Sequence, residues 1–261
     1  MWRGRRTALA LAALAAGLLL GDADYPRVSG GGFQSVLPPA GAQGEVSVGS
    51  FRLRRTPVTN REFLAFVTTH PDWRRGEAPT VFVDSSYLAH WSGPLALGNG
   101  IDPDQPVTHV SWFAAGAYCT TEGARLPTWY EWEYTAAASE TEPDARQDPA
   151  WRQRILDWYA TPSDRPLPRV GERPANVYGV QDLHGVVWEW VDDFNSLLVA
   201  PDNRDQGDPD RTRFCGGGTA AMEQKENYAV LMRVAMLSSL QARDTTGNLG
   251  FRCARDDGSA P

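Results

Sequence analysis

The sequence predicts a loop-rich fold in which short strands and short helices alternate, pinned by aromatic clusters. Two observations predict it. Ten tryptophans sit among 25 glycines and 19 prolines, so turn formers and large apolar anchors are both abundant. Helix-start signals also recur ahead of short apolar stretches, with no long periodic run between them.

The elements follow in order. Residues 24–45 are rich in Gly, Pro and Ser, and "SGGGFQSVLPPAGAQGE" reads as a linker or an edge strand leading into the domain. "VSVGSFRLRRTPVT" alternates apolar and polar residues, which fits one or two strands. Thr59 and Glu62 form a T-x-x-E capping box, and Phe63, Phe66 and Val67 follow at helical spacing. Residues 71–104 are irregular. "PVTHVSW" reads as a short strand ending at Ser111, which caps the helix "WFAAGAYCTTEG"; Gly123 stops that helix. Thr128 and Glu131 make a second capping box. "SETEPDARQDPAWRQR" is acidic and poor in apolar residues, hence a surface loop or a weak helix, and "GNLGFRCARD" ends the domain as a strand-like terminus.

Hydrophobic residues make up 42% of the 261 and charged ones 22%, the balance of a globular chain rather than a disordered one. The formal net charge is -7 and no basic run occurs beyond the first six residues, so the chain is not expected to bind nucleic acid. The N-terminus reads as an export signal. "MWRGRR" is a basic n-region, "TALALAALAAGLLL" is apolar, and Gly21 and Ala23 provide small residues for cleavage before Asp24. An uncleaved anchor is the alternative, and would be the only membrane attachment. The run is short for a span, which needs ~20 residues. No cysteine follows it, which argues against a lipoprotein. The expected location is the periplasm or another exported compartment, where disulfides persist. The expected organisation is residues 1–23 as signal or anchor, 24–45 as linker, 46–256 as one domain and 257–261 as a tail.

Three cysteines, Cys119, Cys215 and Cys253, allow one pair and one free thiol. Spacing does not choose the pair. Cys215 precedes Gly216, Gly217 and Gly218, and a nucleophile, a metal ligand, half a disulfide and an inert thiol all stay open for it. In "DLHGVVWEW", Asp182 and Glu189 are seven apart with Gly185 between. A turn at the glycine would let both carboxylates face one hard cation, with backbone carbonyls completing the set. Two solvated acids in a loop are the plainer reading.

Six motifs coincide in order: "PVTNREFLAFV", "QPVTHVSWFAAGAYC", "RLPTWYEWEY", "YGVQDLHGVVWEWVDDF", "GGGT" and "NLGFRCARD". This series resembles the formylglycine-generating enzyme family, also called the sulfatase-modifying-factor domain, over residues 46–256. The resemblance implies a single mixed α/β domain, poor in regular secondary structure and C-type-lectin-like. It implies a calcium site at Asp182, Gly185, Val187 and Glu189, the second and third through backbone carbonyls. It pairs Cys119 with Cys253 and leaves Cys215 free. It places Trp188 and Thr219 at a groove that takes an extended polypeptide.

One departure stands out. Copper-dependent members of the family use two cysteines after the glycine-rich motif, and the matching positions here are Gln224 and Ala229. Neither side chain replaces a thiolate. A displaced copper site on Cys215 with Met222, Met232 or Met236 is the sharper alternative; core packing of Met232 and Met236, four apart, is the plainer one. Iron-dependent relatives bind their metal through histidines. Of the four here, His109 and His184 read as structural, and His70 and His90 have no partner at ligand spacing. The ending "ENYAVLMRVAMLSSLQARDTTGNLGFRCA" looks like that of family members found beside copper nitrite reductases in denitrifying bacteria. The expectation is an exported, monomeric accessory or maturation factor with a polypeptide partner, calcium and possible copper. A metal-dependent oxidase is the alternative.

Overall fold

The computed structural model describes residues 24–38, 45–160, 165–196 and 228–258. The export segment, Cys215, Thr219, Met222 and Gln224 lie outside the described residues. Among those described are seven short strands and five α-helices: β1 (Arg27–Val28), β2 (Gly31–Gln34), β3 (Glu45–Val48), β4 (Phe51–Leu53), α1 (Asn60–Thr69), α2 (Trp112–Thr121), α3 (Trp129–Ala136), α4 (Pro149–Tyr159), β5 (Trp188–Glu189), α5 (Tyr228–Ser238), β6 (Leu249–Gly250) and β7 (Ala254–Asp256). Strands β1, β4 and β7 form an antiparallel sheet in that order, β2 pairs antiparallel with β3, and β5 runs parallel to β6. The result is a mixed α/β domain with little regular structure.

The caps explain where the helices begin. Thr59 and Thr128 each accept from the backbone N–H three residues on, while Glu62 and Glu131 reach back to the cap N–H. Ser111 accepts from Ala114 N–H to start α2, and Gly123, at φ +64°, lets the chain leave it. The acidic stretch resolves into α4. Asp148 caps it and Pro149 occupies the first turn, where its missing N–H costs nothing.

Two readings need correction. Of the two readings for residues 24–38, the edge strand holds and the linker does not. Tyr25 and Val28 are fully buried, β1 lies on β4, and β2 pairs with β3 in full register. Glu133 of α3 holds this arm, accepting from Ser35 Oγ at 2.6 Å and Val36 N–H at 2.7 Å. The arm supplies core side chains that glycine and proline counts conceal. "PVTHVSW" is not a regular strand either. His109 adopts φ +53°, which breaks the extended run, and the segment contributes isolated bonds instead: Val107 N–H to Val58 O and His109 N–H to Thr246 O, both at 2.9 Å.

The core is aromatic. Trp91, Trp129, Trp132 and Trp190 are fully buried, and Phe63 stacks on Tyr118 and meets Phe251 edge to face. Cys119 of α2 is bonded to Cys253 beside β7, tying the helix to the central sheet. Met236 packs on the core, but Met232 is 40% exposed, so the two are not a core-facing pair.

Candidate functional site

The segment 180–190 turns sharply twice. Asp182 has φ +60° and Gly185 φ +91°. A side chain at Gly185 would be strained by that angle and would run into the Arg173 guanidinium, whose Nη1 donates to His184 O at 2.7 Å. The turn delivers Glu189 to the interior on β5. There the carboxylate is completely buried and meets Arg252 side-on, Nε to Oε2 at 2.9 Å and Nη2 to Oε1 at 2.8 Å. Trp132 Nε1 adds a third bond to Oε2 at 2.9 Å. Arg252 spends its remaining donors on the carbonyls of Arg54, Arg55 and Gln181. Ion pair and backbone thus close one buried network in which both Glu189 oxygens are bonded.

Asp182 is nearly as buried but less satisfied. Its Oδ2 accepts from Gly171 N–H at 2.5 Å, while Oδ1 has no hydrogen-bond partner. Burial raises its pKa, against the Gly171 bond and the charges of Arg252 and Arg173. An unpartnered buried carboxylate oxygen is costly unless something positive meets it. This is the observation against which calcium is tested. Asp182 Oδ1 is free to ligate, and Glu189 retains one lone pair on Oε1 after its three bonds. These are oxygen atoms of the kind a hard cation takes, Glu189 being able to offer one lone pair at most beside Arg252 and Trp132.

Beside this turn lies a cavity of about 790 Å³. One wall is α4, which supplies Trp151, Trp158 and Tyr159; the other is the turn itself, with Asp182, His184, Gly185 and Trp188. Trp188 stands against Trp158 and Tyr159, ring centroids 5.6 and 5.1 Å away. Arg165 and Arg173 lie along the lining, with Pro166, Pro168 and Pro174 between and beside them. His184 places Nε2 2.9 Å from Ala136 O, so that nitrogen carries the proton, and burial pulls the ring's pKa down to about 4. At neutral pH the ring is an uncharged part of the wall.

Arg233 of α5 packs against Trp132 and Glu189. Its guanidinium lies 3.6 Å over the Trp132 ring and donates to Glu189 O at 2.5 Å. Burial lowers its pKa to about 10, leaving it charged at neutral pH. Ala229 lies one helical turn before it in α5.

Asp182, Gly185, Val187 and Trp188 line the cavity, while Glu189 lies buried behind it on Arg252 and Trp132. His70 stands apart, stacked on Phe66. His90 and His109 meet each other, 4.7 Å between ring centroids, which spacing did not foretell. Arg252 and Arg233 were also missed, because partners 63 and 44 residues away leave no local signature. The α4 wall did leave one. Trp151, Ile155, Trp158 and Tyr159 sit at helical spacing behind an Asp-Pro start. Among the described residues no three His, Cys, Asp or Glu side chains converge on a metal position.

Comparison with known proteins completes the description. Residues 20–257 match the sulfatase-modifying factor enzyme 1-like domain. The chain is 34% identical over 271 aligned positions to the formylglycine-generating enzyme of Streptomyces coelicolor, covering 82% of each. It is 30% identical to the inactive C-alpha-formylglycine-generating enzyme 2 of Mus musculus, over 92% of this chain and 89% of that protein. It is 32% identical to the hercynine oxygenase of Mycobacterium tuberculosis, over 56% of this chain but 38% of that protein. Among solved structures, CarF matches with a TM-score of 0.50 at 17% identity, over 89% of this chain and 98% of CarF, a likeness of fold.

Proposed function

The chain belongs to the sulfatase-modifying factor enzyme 1-like family, and from that premise we propose that it is an exported member without the copper–thiolate chemistry, acting as an accessory or maturation factor for a periplasmic enzyme. A copper enzyme is the favoured partner. The observation that carries the reading is the pair Gln224 and Ala229 where copper-dependent relatives have cysteines. An amide and a methyl group supply no soft anionic ligand, so the family's route to activating oxygen lacks its ligands at those positions. The similarity to an inactive formylglycine-generating enzyme supports the same view. The aromatic cavity walled by Trp158, Tyr159 and Trp188 offers an extended polypeptide apolar side-chain contacts, with Arg165 and Arg173 available to its carbonyls and acids.

A second reading, a metal-dependent oxidase modifying a protein or small molecule, is favoured by the similarity to hercynine oxygenase; the sequence does not identify its metal centre, and Cys215 would hold the metal if it is copper. One experiment separates the two. Full-length protein, purified without a tag, is analysed for metals and for oxygen consumption. The accessory reading expects neither stoichiometric copper nor iron, and no oxygen uptake. Stoichiometric copper or iron with oxygen uptake overturns it, and loss of both in Cys215→Ser would assign the metal to that thiol.

Calcium is part of the proposal. Asp182 and Glu189, with the carbonyls of Gly185 and Val187, would hold it, and its role would be to fix the turn that forms one cavity wall. Calcium at a hundred times its dissociation constant should add about 2.7 kcal/mol. For a domain of this size that raises Tm by roughly 5–10 °C. Asp182→Ala should abolish the rise, and an equal rise in wild type and variant would refute the assignment.

A further inference from the structure

His90 and His109 belong to different parts of the chain, yet their rings lie 4.7 Å apart and 31° from parallel. The Nδ1 atom of each is buried with no hydrogen-bond partner among the described residues. Around them the irregular segment 84–91 is fastened to the rest of the fold by a compact set of bonds. Asp84 accepts from Thr245 Oγ1 and Thr245 N–H at 2.6 and 3.0 Å, Leu88 N–H donates to His109 O at 2.9 Å, and His109 N–H donates to Thr246 O at 2.9 Å. Leu88 and His109 both hold positive φ, 48° and 53°, conformations that a non-glycine residue keeps only when its surroundings impose them.

The charged groups that face the pair are few. Arg75, whose guanidinium donates to Trp91 O, bears on His90; Asp84 bears on His109. One ring therefore sees a cation and a second imidazole, while the other has a carboxylate nearby. The pair accommodates two neutral rings and, among the described residues, has no counter-charge for His90 once both are protonated.

We propose that the His90–His109 stack is an acid-released latch, which holds segment 84–91 against His109 and residues 243–246 at neutral pH and frees it when both rings take up protons. Burial, then the neighbouring His109 and Arg75, push the His90 pKa down to about 4, and burial lowers that of His109 despite Asp84 and a hydrogen bond to the Ser86 backbone. An opened segment returns both rings to ordinary values near 6.5, so it binds more protons than the closed one. The closed form is thus favoured fully above about pH 6.5 and loses ground as pH falls toward 4. The latch rests on none of the functional readings above.

Hydrogen exchange followed by NMR on the full chain tests it. Between pH 7.5 and pH 5.0, after correction for intrinsic exchange, the Leu88 and His109 amides should lose protection on the order of tenfold relative to the amides of α3. His90→Phe keeps a flat ring in the stack without the charge and should hold its protection at pH 5.0. Equal loss in wild type and variant, or no loss in wild type, overturns the proposal. If His90→Phe does not fold, titration of the wild-type imidazole resonances decides: midpoints below the ordinary range for both rings uphold the latch, and ordinary midpoints refute it.

Discussion

Arg252→Met should lose about 3–5 kcal/mol of stability, read as the shift in chemical-denaturation midpoint at unchanged slope. The substitution leaves Glu189 as an unpaired charge with no exposure to water. It also strips donors from the carbonyls of Arg54, Arg55 and Gln181. Domains are stable by only about 5–15 kcal/mol, so this single change consumes much of the margin. Arg252→Met/Glu189→Met should recover part of the loss, because the buried charge is gone while the Arg54 and Gln181 carbonyls remain unmet; Arg55 O keeps its bond from Gln181 N–H. A single variant within about 0.5 kcal/mol of wild type would show that the network contributes little. Recovery to wild-type stability in the double variant would show that the carbonyl bonds contribute nothing.

Removing the Cys119–Cys253 bond comes next in size. The bridge spans 134 residues of sequence. Closing a loop that long lowers the entropy of the unfolded chain by about 5 kcal/mol on the chain-entropy model, an upper figure since engineered and native bridges often deliver less. Cys119→Ala/Cys253→Ala should therefore lose about 3–5 kcal/mol. Both sulfurs belong to fully buried residues. A reductant should leave the native protein intact and act once denaturant opens it. Thiol titration of the denatured, unreduced chain should find one free thiol, Cys215. Three thiols would refute the bridge, and rapid reduction without denaturant would refute its protection.

The helices were legible because their signals are local. Thr59 with Glu62, Thr128 with Glu131, and Ser111 ahead of its helix each act within one turn of chain, so the residues that form a cap are also neighbours in sequence. The glycine-centred turn of the "DLHGVVWEW" motif was legible for the same reason: Gly185 takes a backbone angle that few other residues accept. The extended parts were harder. The 24–38 arm left linker and edge strand both open because its core contribution rests on a few side chains, Tyr25, Val28 and Phe33, spaced by glycine and proline. "PVTHVSW" looked like a strand because apolar alternation says nothing about the positive φ that His109 adopts. Met232 and Met236 show the limit of periodicity, since two residues four apart share a helix face only approximately, and here the edge of the buried stripe falls between them.

By itself, then, the sequence determined the family, the positions of the capped helices and the turn that carries Asp182 and Glu189. Each is written in one residue type or one short spacing. Only the tertiary structure decided that Glu189 is claimed by Arg252 and Trp132, that Asp182 keeps one oxygen unmet, that α4 completes an aromatic cavity against Trp188, and that His90 lies on His109. Those pairings join residues tens of positions apart. Their energies come from burial, where a charge must find its partner or lose its hydration, and no local pattern records which distant residue will answer.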